Sequence, residues 1–158
     1  FHWGLVIVAI NNVGVTGKDT CLAVIGPAVF AQAGAGLAVL LKTKGSSPEA
    51  KKYRSVCLTG VVSALLGVTE PIMFGANLPK KKPMIAVCAG GGIGGAIVGF
   101  SGASAKAIAF PSLASLPIFF GEGFGLFFLG CGVGFVVAFI VGMLLKFDNE
   151  PVRALEFQ

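Results

Sequence analysis

The sequence predicts an all-α, polytopic membrane protein with at least one re-entrant hairpin, and three observations predict it. Mean hydropathy is +0.89. Of the 158 residues 55% are apolar and only 12% charged, about half the charge of a soluble domain. The 24 glycines lie inside the apolar runs rather than between them, where small residues let membrane helices approach closely. These features exclude a disordered chain, a coiled coil and an ordinary water-soluble enzyme. The chain also enters an apolar run at Phe1 with no charged region before it. That start reads as a piece of a longer chain and not as a signal peptide.

The elements follow from lengths and charge. Residues 1–15 are apolar but carry His2, Asn11 and Asn12, which predicts a broken or re-entrant segment. Residues 22–41 supply the roughly 20 apolar residues that a spanning helix needs, and Lys42 closes them. The polar stretch 43–55 holds Lys44, Lys51, Lys52 and Arg54 against Glu49 alone, which marks a cytoplasmic loop. Residues 56–68 are apolar but would cover only about 20 Å as a helix, short of the roughly 30 Å hydrocarbon core. They run into Thr69, Glu70 and Pro71, and a second basic cluster, Lys80-Lys81-Lys82, follows soon after. Two basic clusters around so short a segment predict a re-entrant hairpin over 56–79 with Glu70 near its tip. Irregular backbone at that depth is tolerated where it lines a cavity or is buried in protein. Residues 84–100 and 118–145 are long enough to cross. Between them 103–117 is expected as an outer loop or surface helix, and 147–158 as a tail or linker beyond a transport unit at 1–146.

Several local patterns carry no chemistry. Cys21, Cys57, Cys88 and Cys131 are more than thirty residues apart and His2 is the only histidine, so neither a metal site nor a disulfide framework is expected. The net charge of +5 is divided among loop clusters without interleaved aromatics, which speaks against a nucleic-acid partner. Gly90, Gly92 and Gly95 spell a dinucleotide fingerprint, but the next acid is Glu122, beyond two prolines. Gly91, Gly95 and Gly99 fit one face of a packed helix instead. Gly17-Lys18-Asp19 lacks the first glycine and the Mg²⁺-holding hydroxyl of a phosphate loop. No cofactor is expected. Glu122, between Gly121 and Gly123, reads as a cap or interface residue.

Glu70 stands apart, because ionisable residues within a membrane are costly and face a pathway or a binding site. A carboxylate accepts two hydroxyl hydrogen bonds and can take up a hydroxyl proton, which suits a sugar. Asn11 and Asn12 would serve equally to satisfy a broken helix or to bind a sugar hydroxyl. His2 alone is as readily a packed histidine as a ligand.

Gly67-Val68-Thr69-Glu70-Pro71 followed by Phe74-Gly75-Ala76-Asn77-Leu78-Pro79 resembles the G-[IV]-T-E-P…[YF]-G-x-N-L-P signature of the membrane-embedded IIC domain of bacterial sugar phosphotransferase systems. His2-Trp3-Gly4-Leu5-Val6 with Asn11-Asn12, and Phe30-Ala31-Gln32-Ala33-Gly34, resemble the β-glucoside branch in the same order. The resemblance extends from His2 to about Lys146 and implies the C-terminal half of such a domain in the bacterial plasma membrane. It further implies a sugar bound outside, carried inward and phosphorylated by a phosphocysteine of a IIB domain. The phosphoryl group would come from phosphoenolpyruvate through enzyme I, HPr and IIA, and the full protein would be a homodimer. A histidine and the glutamate of the signature contact the sugar near the accepting hydroxyl; the matching positions are His2 and Glu70. Thr69, Asn11 and Asn12 complete the candidate substrate contacts, and Gly67, Pro71, Gly75, Asn77 and Pro79 are the structural positions of the signature. None of the four cysteines is the phosphorylated one, which belongs to IIB. Lys18 and Phe74 stand where relatives often carry an aromatic and a tyrosine, and both bear on sugar choice.

Two other readings compete. An ion-coupled secondary transporter would move its sugar unmodified, with Glu70 as the proton or cation site. A sugar-binding sensor or remnant would transport nothing.

Overall fold

A computed structural model of the chain describes residues 2–45 and 47–147, with side chains from residue 6 onward. The tail at 148–158 and the side chain of His2 lie outside the described residues. The elements are α1 (His2–Thr16), α2 (Cys21–Lys42), α3 (Pro48–Leu65), a single turn α4 (Glu70–Ile72), a π-helical turn Met73–Asn77, α5 (Lys82–Ser101), a 3-10 turn Leu116–Phe119 and α6 (Phe124–Leu144). Helices α2, α5 and α6 are each long and apolar enough to cross a membrane, and no strand forms among the described residues.

Helix α2 is the axis around which the rest is built. Most of its residues are buried by α3, α5 and α6, whereas α5 and α6 leave most of theirs on the outside. Glycine makes this closeness possible. A methyl group at Gly34 would overlap the main-chain carbonyl of Phe135, and one at Gly94 would lie 2.7 Å from Cβ of Pro27. At Gly134 it would lie 2.9 Å from the Pro27 carbonyl oxygen. Three helices therefore meet at Pro27 with backbone nearly against backbone, the close approach that small residues permit in membrane bundles.

The glycine face of α5 differs from the expected one. Gly90 and Gly94 form the tight seam with α6, while Gly91 and Gly95 face Ala28 and Val24 of α2 more loosely and Gly99 meets nothing within 4 Å. The two glycine rows are one residue apart, and the position of α6 decides which is in closest contact.

Other differences are local. Residues 2–16 form one continuous helix and not a broken segment. In an apolar run the backbone's own i→i−4 bonds satisfy it better than Asn11 and Asn12 could. Helix α3 begins inside the polar stretch, because Ser47 caps it by accepting from the amide of Ala50 at 3.2 Å and Pro48 opens the first turn. Helix α6 begins only at Phe124, since Pro117 and the left-handed Gly123 (φ +80°) interrupt the apolar run before it.

One end of the bundle is basic. Lys42 donates from Nζ to the carbonyls of Leu145 (2.7 Å) and Gly142 (3.3 Å), and Lys82 donates to the carbonyl of Lys146. These ammonium groups satisfy the open carbonyls at the end of α6 and oppose its dipole. Lys80 lies over the rings of Tyr53 and Phe147. The chain from α3 to Lys80 thus leaves the basic end and returns to it.

The opposite end is tied by Asp19. Its carboxylate accepts from the Leu22 amide and from Asn12 Nδ2, both at 2.8 Å. Its backbone exchanges hydrogen bonds with Ala105 of the loop before α6 (2.9 and 2.7 Å).

Candidate functional site

The site is a cleft of about 510 Å³ between α2 and the tip that joins α3 to α4. The α3 end sets its shape. Val68 donates to the carbonyl of Ser63 (3.0 Å) and Gly67 to that of Ala64 (2.9 Å), the paired bonds of a Schellman ending. Gly67 occupies the left-handed position with φ +97°, where a side chain is strained. Ser63 Oγ adds a bond to the carbonyl of Val68 at 2.9 Å. The tip is held from above as well, since Leu113 donates to the carbonyl of Leu65 at 2.9 Å. A methyl at Gly67 would lie 3.1 Å from Cβ of Ser112. That loop is stiffened by the reciprocal bonds of Ser112 and Ser115.

Below the tip Thr69 and Glu70 turn into α4, with Pro71 in its first turn. Ile72 is fully buried and wedges between α2 and α3. Its space exists because positions 36 and 60 are glycines: an added methyl would lie 2.7 Å from Ile72 Cδ1 at Gly36 and 3.1 Å from Ile72 Cα at Gly60. The register of Glu70 is therefore set by the side chain two residues after it.

Thr69 and Glu70 line the cleft. Facing them from α2 are Ile25, Ala28, Val29 and Gln32, and Phe110 closes one side. Glu70 is the only charged residue among the described lining, and its side chain is exposed in the cleft. A described lining with one carboxylate, a hydroxyl and an amide on apolar walls fits a neutral polyhydroxylated ligand better than an anion.

The sequence-predicted residues divide. Thr69 and Glu70 come together at the cleft, with Gly67 beside them. Asn12 uses its amide nitrogen on Asp19, and Asn11 is exposed on α1. Pro71 and Gly75 belong to the descending turns, and Pro79 precedes the lysines. Asn77 is fully buried and donates from Nδ2 to two oxygens of Gln32, the side-chain Oε1 at 2.7 Å and the main-chain carbonyl at 3.1 Å. Gln32 and Phe110 were not singled out by sequence reasoning as site residues. Gln32 left a signal: before the closing Lys42 it is the one polar side chain in a helix of apolar and small residues, and such a group in a membrane helix needs a partner.

The family model described as phosphotransferase system, EIIC, matches residues 2–91. Over 151 residues, 95% of this chain, it is 35% identical to the β-glucoside-specific EIIBCA component of a phosphotransferase system from Bacillus subtilis, of which the match covers 24%. Identity to the protein of that description from Halalkalibacterium halodurans is 44%, over 62% of the chain and 15% of that relative. A sucrose-specific EIIBC component from Bacillus subtilis is 35% identical over 87% of the chain and 29% of its own length. The chain thus spans less than a third of each of these curated relatives. No solved structure gives a significant match.

Proposed function

Because the chain belongs to the phosphotransferase system EIIC family, an integral component of the bacterial plasma membrane, we propose that its cleft binds a β-glucoside for phosphorylation by a IIB domain. The observation that carries the reading is the joint placement of Thr69 and Glu70 on a cleft whose described lining holds no other charge. The sugar identity rests on the β-glucoside-specific relatives; the sucrose-specific one marks an alternative substrate.

In this reading Glu70 accepts a hydrogen bond from the hydroxyl that will be phosphorylated. As the hydroxyl oxygen bonds to phosphorus, the phosphorus–sulfur bond to the IIB cysteine breaks and the hydroxyl proton passes to the carboxylate. His2 is proposed as a second contact at that hydroxyl, and Thr69 as a further contact to the sugar. Phe110 and the aliphatic side chains of α2 cover the carbon faces of the ring. Positioning supplies most of the rate, because it makes an intermolecular transfer behave as an intramolecular one. The partners are IIB and IIA, with HPr and enzyme I upstream, and the full-length protein acts as a homodimer that carries the sugar inward by rigid movement of this unit.

The test uses the full-length protein in membrane vesicles and follows phosphoenolpyruvate-dependent phosphorylation of a labelled β-glucoside. Glu70→Gln keeps the shape of the side chain and removes its basicity. It should lower turnover by roughly 10²–10⁴-fold, the usual contribution of a positioned base, while IIB remains phosphorylated. Equal turnover in wild type and variant would refute the assignment of Glu70.

A further inference from the structure

The pair formed by Gln32 and Asn77 points to a feature of the cleft beyond the carboxylate. A primary amide has one oxygen that accepts and one nitrogen that donates twice. Asn77 Nδ2 spends its two hydrogens on Gln32, one on the main-chain carbonyl and one on Oε1. The main-chain carbonyl can only accept, so it fixes which way the Asn77 amide faces. That orientation in turn fixes Gln32, since turning the Gln32 amide over would set nitrogen against nitrogen. With Oε1 held by Asn77, the Nε2 group of Gln32 donates to no described residue, and the side chain that carries it lines the cleft opposite Glu70.

We propose that Gln32 is a specificity-determining contact, donating from Nε2 to a hydroxyl oxygen of the bound sugar, and that Asn77 is the positioning residue that aims it. The inference rests on the reading of the cleft as the sugar site. Its chemical logic is complementarity. The Glu70 carboxylate, acting as acceptor, satisfies hydrogens of the sugar's hydroxyls but donates nothing to their oxygens, and at the tip only the single hydroxyl of Thr69 is there to do so. A site that must pair those oxygens needs a donor, and an unpaired buried acceptor is what makes such sites discriminate. Gln32 is the amide donor that the cleft provides. An apolar side chain at position 32 would fill the same volume without needing a partner, but it would leave Asn77 with an unused buried hydrogen. Asn77 leaves its own Oδ1 unpaired, so within the pair only its Nδ2 is engaged, and it is engaged on Gln32.

The experiment measures KM and kcat in the phosphoenolpyruvate-dependent assay for methyl β-glucoside and its monodeoxy analogues, on the full-length protein. In the wild type one analogue, lacking the hydroxyl that Gln32 contacts, should bind about tenfold more weakly than the parent sugar. Gln32→Met should raise KM for the parent sugar by about the same factor, with little change in kcat, and should abolish discrimination against that one analogue. Asn77→Asp, which exchanges the donor for an acceptor and turns the Gln32 amide over, should erase the same discrimination with Gln32 still present. A merely structural pair would lower stability without changing which analogue is disfavoured. Should Gln32→Met fold poorly, Asn77→Asp decides by the same readout. Unchanged discrimination in the folded variants overturns the role of Gln32 while Glu70→Gln still loses turnover, so the cleft reading survives. A wild type that phosphorylates no β-glucoside overturns both.

Discussion

Gly90 and Gly92 lie two residues apart on α5 and face opposite surroundings, which makes them a matched test of the bundle's packing. A methyl added at Gly90 would lie 2.8 Å from Cβ and 2.9 Å from N of Ala138, and would overlap the Gly134 carbonyl. Ordinary contact begins at 3.4 Å, so the backbone of α6 must retreat by about half an ångström at Ala138 and by more at the Gly134 carbonyl. Backbone cannot rotate aside as a side chain can, and α6 is also seated against Pro27 of α2. Overpacking of this kind typically costs about 1–3 kcal/mol. Alanine's better helix propensity offsets roughly 0.5–1 kcal/mol of it. Gly90→Ala should therefore lose up to about 2.5 kcal/mol net, in the upper part of the range because the clash is with backbone. Gly92 meets nothing within 4 Å, so Gly92→Ala keeps only the propensity gain and should be neutral or slightly stabilising. The assay is thermal unfolding in detergent followed by a thiol-reactive dye. Cys57 and Cys131 are buried and report unfolding, Cys131 beside the seam itself. A midpoint for Gly92→Ala as low as that for Gly90→Ala, or a wild-type midpoint for Gly90→Ala, would refute the reasoning.

Substitutions at Gly67 and Asp19, each with a control, probe the tip and the loop contacts. Gly67→Ala places a side chain at φ +97° and 3.1 Å from Ser112; strain of about 1–3 kcal/mol is expected. It should lower the thermal midpoint, whereas Gly75→Ala, whose methyl would sit at an ordinary 3.5 Å from Val56, should not. Asp19→Ala removes the acceptor for the Leu22 amide and for Asn12 and should lose about 0.5–2 kcal/mol from the cap alone. Asp19→Asn keeps an acceptor oxygen and should lose less in the same thermal assay, and equal losses would show that the cap is not what stabilises this end.

Much of the molecule was legible because its constraints are local. Apolar length marked α2, α5 and α6, and the lysine clusters marked the end to which the hairpin returns. Thr69 and Glu70 announced themselves as polar groups beside a helix breaker in a chain with few charges. Other features were illegible for equally physical reasons. Asn12 looked available for a ligand because nothing along the chain shows that Asp19, seven residues on, takes its amide. The start of α3 was hidden because a Ser-Pro-Glu cap is polar and reads as loop when hydropathy is the guide. Phe110 sits in a stretch without periodicity, and only the docking of its loop on Leu65 and Gly67 brings it to the cleft.

The sequence by itself determined the class of protein, the number of long apolar helices and the chemistry offered at the hairpin tip. Each of these depends on hydropathy, length or a contiguous motif, quantities that need no partner to be defined. Tertiary structure alone decided which row of glycines forms the seam, because two rows one residue apart are equivalent until a second helix is laid against one of them. It also placed Gln32 in the lining of the cleft, bonded to Asn77 across 45 residues of sequence. A buried amide takes its orientation from whatever donor folding brings to it.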